Sequence, residues 1–241
     1  RAFENGVWIV AATKAGVERS IYYPGGSMIA APTGDVVAKM PYDVHGVTSA
    51  EIDLDAANYK KWPLGGDKFA GRRPECYQLL SKPFKETPVA PLLAEPFTPE
   101  QATTKAAAVQ AHMTTVPRSL ESALQMAGHT ATLGAKVIVL PQHFNIDTWL
   151  PSSFQAAAAA KTAPLVLERA ATIAKTHACA LVVPVMEATR GGIAPTAVLI
   201  GPDGNEIGRY AQVHLEAELR GWAAAGDGFK VFKTPFGRSG M

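Results

Sequence analysis

Thr196-Ala197-Val198-Leu199-Ile200-Gly201-Pro202-Asp203-Gly204-Asn205-Glu206-Ile207-Gly208-Arg209-Tyr210-Ala211-Gln212-Val213-His214-Leu215 is the stretch around which the rest of the chain is arranged. Its first five residues are apolar and rich in β-branched side chains, as in a buried strand. Pro202-Asp203-Gly204-Asn205 then supplies a fixed φ, an Asp that folds onto nearby backbone, and a Gly that tolerates positive φ. Ile207 to Tyr210 return as a second strand, and Gln212 follows just past its end. Polar side chains at strand ends face crevices, which places Gln212 and His214 where chemistry takes place. A plain hairpin in a structural sheet is the competing reading of the same residues.

Working outward, residues 117–133 read as a helix, with Pro117 in the first turn. Leu120, Ala123, Leu124, Ala127 and Ala131 share one face, and Gly134 is the stop. Residues 135–140 follow as a buried strand ending at Pro141-Gln142-His143-Phe144. Residues 164–177 form a second amphipathic helix leading into a strand at 180–185, and residues 105–110 a short strand before the first helix. Strand–helix–strand alternation of this kind argues for a layered α/β fold. The run Ala156 to Ala160 is helix-prone with no evident chemistry.

The front of the chain is organised differently. Residues 1–6 read as the last turn of a helix, closed by Asn5-Gly6. Residues 7–12 form an uninterrupted apolar strand of the kind buried on both faces. Residues 25–31 and 36–40 make a hairpin turned by Pro32-Thr33-Gly34-Asp35, and residues 47–54 alternate towards a further strand. The hairpin at 28–39 echoes the one at 198–209, which suggests a duplicated sheet-and-helix unit. Between them, Pro83, Pro88, Pro91, Pro96 and Pro99 mark a semi-extended linker at 85–103. Limited proteolysis is expected to cut first there, because the segment offers little apolar surface. Protection of that stretch, with cleavage elsewhere, would mean one continuous domain.

Composition narrows the function classes. The chain has 241 residues, 47% hydrophobic and 18% charged, with a formal net charge of +2. Nothing in that balance calls for nucleic acid or an anionic membrane as partner. Apolar runs are too short to span a bilayer, no signal peptide is visible, and a cytoplasmic location is expected. The two cysteines, Cys76 and Cys179, make neither a metal spacing nor a disulfide framework, so no metal or other cofactor is expected. The chain opens inside a helix end and stops in mid-pattern, as a piece of a longer protein would.

Several motifs together resemble the nitrilase, or carbon–nitrogen hydrolase, superfamily. Arg1-Ala2-Phe3-Glu4-Asn5-Gly6-Val7-Trp8, Gly25-Gly26-Ser27, Ala50-Glu51-Ile52-Asp53-Leu54 and Arg72-Arg73-Pro74-Glu75 resemble its C-terminal half. Ala108-Val109-Gln110, Gly134 through Pro141, Gly208-Arg209-Tyr210, Val213-His214-Leu215 and Thr234-Pro235-Phe236-Gly237-Arg238 resemble its N-terminal half. That order implies a tandem protein: the end of one copy at 1–84, the linker at 85–103, and the front of a second copy at 104–241. It also implies a four-layer α-β-β-α sandwich, incomplete in this chain, and a homo-oligomer.

The resemblance implies a chemistry as well. The family uses a Cys nucleophile, a Glu general base and a Lys to form an acyl-enzyme from a non-peptide amide or nitrile. The carboxylate takes the thiol proton and later activates water. The Lys places positive charge beside the atom that becomes anionic. By resemblance the Glu slot follows Leu140-Pro141 and holds Gln142, while the Lys slot lies two residues before His214 and holds Gln212. The nucleophile position would come after Met241. Two functions are therefore implied: a tandem hydrolase of small amides or nitriles with a degenerate second copy, or a non-catalytic module for structural support, oligomerisation or carboxamide binding.

Other residues invite attention. Cys76-Tyr77 superficially matches the family's nucleophile elbow, but follows Arg-Arg-Pro-Glu instead of a buried strand. Cys179 reads as a small buried hydrophobe. His143 and His214 sit beside the two Gln slots, where structural hydrogen bonding is the simpler role. Glu216 and Glu218 fall near an additional pocket Glu of relatives, with surface charge as the alternative. His214 and Glu218 are taken as the candidate substrate contacts.

Overall fold

The computed structural model describes residues 1–63, 65–87, 89–94, 103–112, 115–146, 148 and 150–241. These form two compact units, Arg1–Arg72 and Arg73–Met241. The Pro-rich stretch at 85–103 lies partly outside the described residues. Its described part holds a 3-10 turn at Phe84–Glu86 and helix α2 at Val89–Ala94 instead of extended chain. Pro91 is compatible with that helix because it occupies the first turn, where the amide has no intrahelical acceptor.

The first unit begins with helix α1 (Ala2–Asn5), ended by Gly6 in the left-handed region at φ 57°. Strands β1 (Ile9–Ala11), β2 (Ala15–Glu18), β3 (Ile21–Pro24), β4 (Met28–Ala30) and β5 (Val36–Lys39) follow. They make a three-stranded antiparallel sheet in the order β1-β4-β5 and a separate β2–β3 hairpin. The expectation of a doubly buried strand at 7–12 is corrected: β1 is a sheet edge, and Val10 is 70% exposed. An apolar run alone does not reveal whether a second layer covers its outer face. The strand expected at 47–54 is also absent. Val47 is exposed, and Asp53 Oδ1 accepts from Asp55 N at 3.0 Å to start a 3-10 turn at Leu54–Asn58.

The second unit carries α2, β6 (Ala106–Ala108), α3 (Val116–Thr132), β7 (Val137–Val139) and α4 (Ser153–His177). It continues with β8 (Ala180–Thr189), β9 (Gly192–Ile200), β10 (Glu206–Ala211), β11 (Val231–Thr234) and β12 (Gly237–Gly240). The main sheet runs β10-β9-β8-β7-β6, with β6, β7 and β8 parallel and β8, β9 and β10 antiparallel. Helix α3 presents Ala123, Leu124, Ala127 and Ala131 to the core, and α4 presents Ala163, Val166, Ala170 and Ala174. Spacings of three and four put each set on one face, and the small alanines let the helices approach the sheet closely. Ile138, Leu140, Leu181, Val183, Val198 and Ile200 complete this core. Val139, between Ile138 and Leu140, is exposed, so β7 is covered on one face only.

This is a mixed α/β fold with one helical and one sheet layer in the second unit. Helix α4 starts well before 164, because Ser152 accepts from Gln155 N at 3.3 Å while Gln155 Oε1 accepts from Ser152 N at 3.0 Å. That reciprocal cap nucleates the helix, and Pro164 lies within it. Ser152→Ala is expected to cost about 1 kcal/mol, readable as a lowered thermal midpoint; an unchanged midpoint would mean the cap contributes nothing. The opening hairpin forms as expected, with Gly204 at φ 82° and Asp203 Oδ1 accepting from Asn205 N at 3.0 Å. Arg209 ties its far strand to the sheet, bonding Glu206 on β10 and Glu187 on β8. Among the described residues no helix is long and apolar enough to cross a membrane.

Candidate functional site

The strand register assembles one pocket at the carboxyl end of β7, the usual place for a ligand crevice beside parallel strands. Pro184, Val185 and Met186 on β8 pair with Ala197, Thr196 and Pro195 on β9. Tyr210 and Ala211 on β10 pair with the same Ala197 and Thr196. The ladder runs one residue further, with Gln212 N donating to Pro195 O at 2.8 Å. On the other side, Leu140 N donates to Val182 O at 3.0 Å, which delivers the turn after β7 to the same place. The result is a cavity of about 210 Å³ lined by Gln142, His143, Asn145, Thr196, Tyr210 and Gln212 over apolar walls.

Gln142 and Gln212, far apart in sequence, thus meet at one pocket. The turn holding Gln142 is strained: His143 sits in the left-handed region at φ 59° and is 8% exposed. A non-glycine residue there costs about 1–3 kcal/mol, and such positions cluster at functional sites. Gln142 Nε2 lies 3.4 Å from His143 Nε2, and Ile146 N donates to His143 O at 2.9 Å to close the turn. Among the described residues, no Lys, Arg, Asp or Glu lines the cavity. Among the described residues, no group of three His, Cys, Asp or Glu is placed to hold a metal ion.

The remaining candidates lie elsewhere. His214 is stacked between Tyr77 and Phe229, with ring centroids 6.1 and 6.0 Å away, and does not line the pocket. Glu218 is exposed and also outside the lining; it immediately precedes the 3-10 turn Leu219–Gly221. Glu216 reaches the site indirectly, its Oε2 accepting from Gln212 Nε2 at 3.3 Å. Cys179 is fully buried in the helix-facing core, and burial pushes its thiol up from the ordinary range. Cys76 Sγ lies 3.7 Å from Asp227 O, and neither cysteine lines the cavity.

The residues missed by sequence reasoning are Asn145, Thr196 and Tyr210. Tyr210 stands two positions before Gln212, and the two-residue period of a strand puts both on one face. Its hydroxyl accepts from Val213 N at 3.2 Å, pinning the chain just beyond Gln212. Arg73 secures the same segment, donating to Val213 O at 3.2 Å and Gly226 O at 3.1 Å.

Comparison with known proteins adds the family context. A model of the carbon–nitrogen hydrolase family matches residues 1–61 and 105–241. A probable nitrilase of Schizosaccharomyces pombe is 35% identical over 88 residues, covering 34% of this chain and 30% of that protein. A nitrilase of Pyrococcus abyssi is 38% identical over 77 residues, covering 32% of this chain and 29% of that protein. Among solved structures, a Glu-to-Gln, Cys-to-Ala double mutant of the amidase from Nesterenkonia sp. AN1, in complex with acrylamide, has a TM-score of 0.50 at 20% identity. That likeness covers 59% of this chain and 56% of the amidase. A Glu-to-Gln mutant of the same amidase, with the acetamide moiety of fluoroacetamide added covalently at its active-site cysteine, gives 0.50 at 21% identity. It covers 60% of this chain and 56% of that one. The chain therefore spans less than two thirds of the length of each of these relatives.

Proposed function

The chain belongs to the carbon–nitrogen hydrolase family, and from that premise we propose that its pocket binds a small amide without hydrolysing it. One observation carries this reading: the two glutamines that resemblance puts in the Glu and Lys slots line one cavity, with no Lys, Arg, Asp, Glu or Cys among its described lining residues. Two neutral amides replace a base and a cation together. A charge at only one of these positions would be left unbalanced, at less than the roughly 3–5 kcal/mol of a fully buried broken pair because Gln142 is exposed and Gln212 half-buried, whereas two neutral amides keep the site balanced and still able to hydrogen-bond. The Nesterenkonia amidase that holds acrylamide is itself a Glu-to-Gln mutant, which supports amide binding in the presence of a glutamine. Propionamide is expected to perturb the signals of pocket residues in NMR titration while no ammonia is released. Ammonia release above background would sink the reading.

A second reading concerns the longer protein. The motif order, with features of the family's C-terminal half preceding those of its N-terminal half, supports a tandem hydrolase of amides or nitriles in which this pocket belongs to the degenerate copy. The matching hairpins β4–β5 and β9–β10 support the same duplication. Coding sequence upstream of Arg1 decides it. A Glu, a Lys and a Cys-Tyr-Asp-like elbow there would support a working copy, and their absence would leave the binding module alone.

A further inference from the structure

Resting on the amide-binding reading above, we infer that this pocket selects a primary carboxamide over the matching carboxylate, with Asn145 as donor, Gln212 as acceptor and Glu216 as the positioning residue that keeps Gln212 so oriented.

Asn145 is the first observation. It lines the cavity, is 3% exposed, and its Nδ2 is buried with no hydrogen-bond partner. Buried polar groups are nearly always paired, so a lone buried amide nitrogen beside a cavity calls for an acceptor that comes with a ligand. The carbonyl oxygen of an amide is such an acceptor.

Gln212 is the second and independent observation. Its Nε2 donates to His214 O at 2.9 Å and to Glu216 Oε2 at 3.3 Å. An amide nitrogen has two protons, so both are committed to groups outside the cavity lining. Turning the amide over would set its oxygen against a carbonyl and a carboxylate, two repulsive acceptor pairs. Among the described residues Oε1 has no hydrogen bond, and it is the atom left to a ligand. A carboxamide NH2 donates to it. A carboxylate instead presents oxygen to oxygen, and it surrenders its hydration to a lining with no Lys or Arg among the described residues. A nitrile has no proton to donate and satisfies only Asn145.

The test uses the 241-residue chain with propionamide and propionate as paired probes, followed by NMR titration. Propionamide is expected to bind at least about tenfold more tightly, the worth of one well-made hydrogen bond against its repulsive counterpart. Glu216→Gln donates or accepts equally well, so it removes one of the two repulsions that oppose inversion of Gln212 and leaves the one from His214 O. The amide-over-acid ratio should then fall without reaching one, while propionamide affinity changes less than about threefold. Asn145→Leu should weaken propionamide about tenfold yet raise the unfolding temperature, because it removes an unpartnered buried donor. A merely structural Asn145 would instead lower that temperature when replaced. Equal binding of amide and acid by the unaltered chain, an unchanged ratio in Glu216→Gln, or destabilisation by Asn145→Leu overturns this inference and leaves amide binding standing. Failure of both probes to bind overturns the inference and the amide-binding reading together.

Discussion

The 241-residue chain is expected to hydrolyse no amide or nitrile above background, and extending it past Met241 to include an elbow cysteine is expected not to restore turnover. On the proposed assignment of Gln142 to the base slot and Gln212 to the cation slot, a neutral Gln142 cannot take up a thiol proton at neutral pH, so the loss of proton transfer alone should remove about 10²–10⁴ in rate. Gln212 brings no positive charge to the atom that becomes anionic, and by analogy with deleting one oxyanion donor this removes a further ~10²–10³. The cysteines at hand do not substitute. Cys179 is sealed under the helices, where burial disfavours its thiolate, and Cys76 lies outside the pocket lining. The decisive variant is the extended chain carrying Gln142→Glu and Gln212→Lys together. Either change alone should destabilise the fold more than the pair does. Because Gln142 is exposed and Gln212 only half-buried, the penalty should stay below the roughly 3–5 kcal/mol of a fully buried broken pair. Thiol-dependent turnover by the extended but otherwise unaltered protein, abolished by mutating its cysteine, would show that the two slots have been misassigned.

How far this site is legible in sequence depends on the range of the interaction involved. Helix α3 is readable almost to the residue, since Pro117, the Ala123–Leu124–Ala127–Ala131 stripe and Gly134 are local signals. The start of α4 is not, because Pro164 imitates a helix beginning and only the Ser152–Gln155 cap displaces it. Residues 7–12 show the opposite limit: their apolar run is real, but whether anything lies on the outer face is a tertiary matter. The meeting of Gln142 and Gln212 follows from the family resemblance, and locally each is just a polar residue past a strand end. Tyr210 was within reach through strand period. The unpartnered nitrogen of Asn145 was not, since the lack of a partner is a property of the folded surroundings and leaves no mark on the chain.

Gly226→Ala is expected to be among the most damaging single methyl additions to the second unit, at about 3 kcal/mol, the upper part of the usual range for overpacking. A Cβ on Gly226 would fall 2.1 Å from Ala211 O and 2.8 Å from Ala211 C, both backbone atoms that no rotamer change can move aside. The residue also holds the far end of the pocket in place. Its N–H donates to Gln212 O at 2.8 Å, and its carbonyl accepts from Arg73 at 3.1 Å. Relief of the clash therefore pushes directly on the Ala211–Gln212 segment, whose register against Thr196 and Pro195 sets where the Gln212 amide stands. Loss of amide affinity should accompany the loss of stability, with the thermal midpoint falling by roughly 6–12 °C for a unit of this size. Gly228→Ala is the matched control, since a Cβ there meets nothing within 4 Å. It should leave both quantities nearly unchanged, or raise stability slightly by restricting the unfolded chain. Equal effects from the two substitutions would mean that the 211–226 contact does not hold the pocket together.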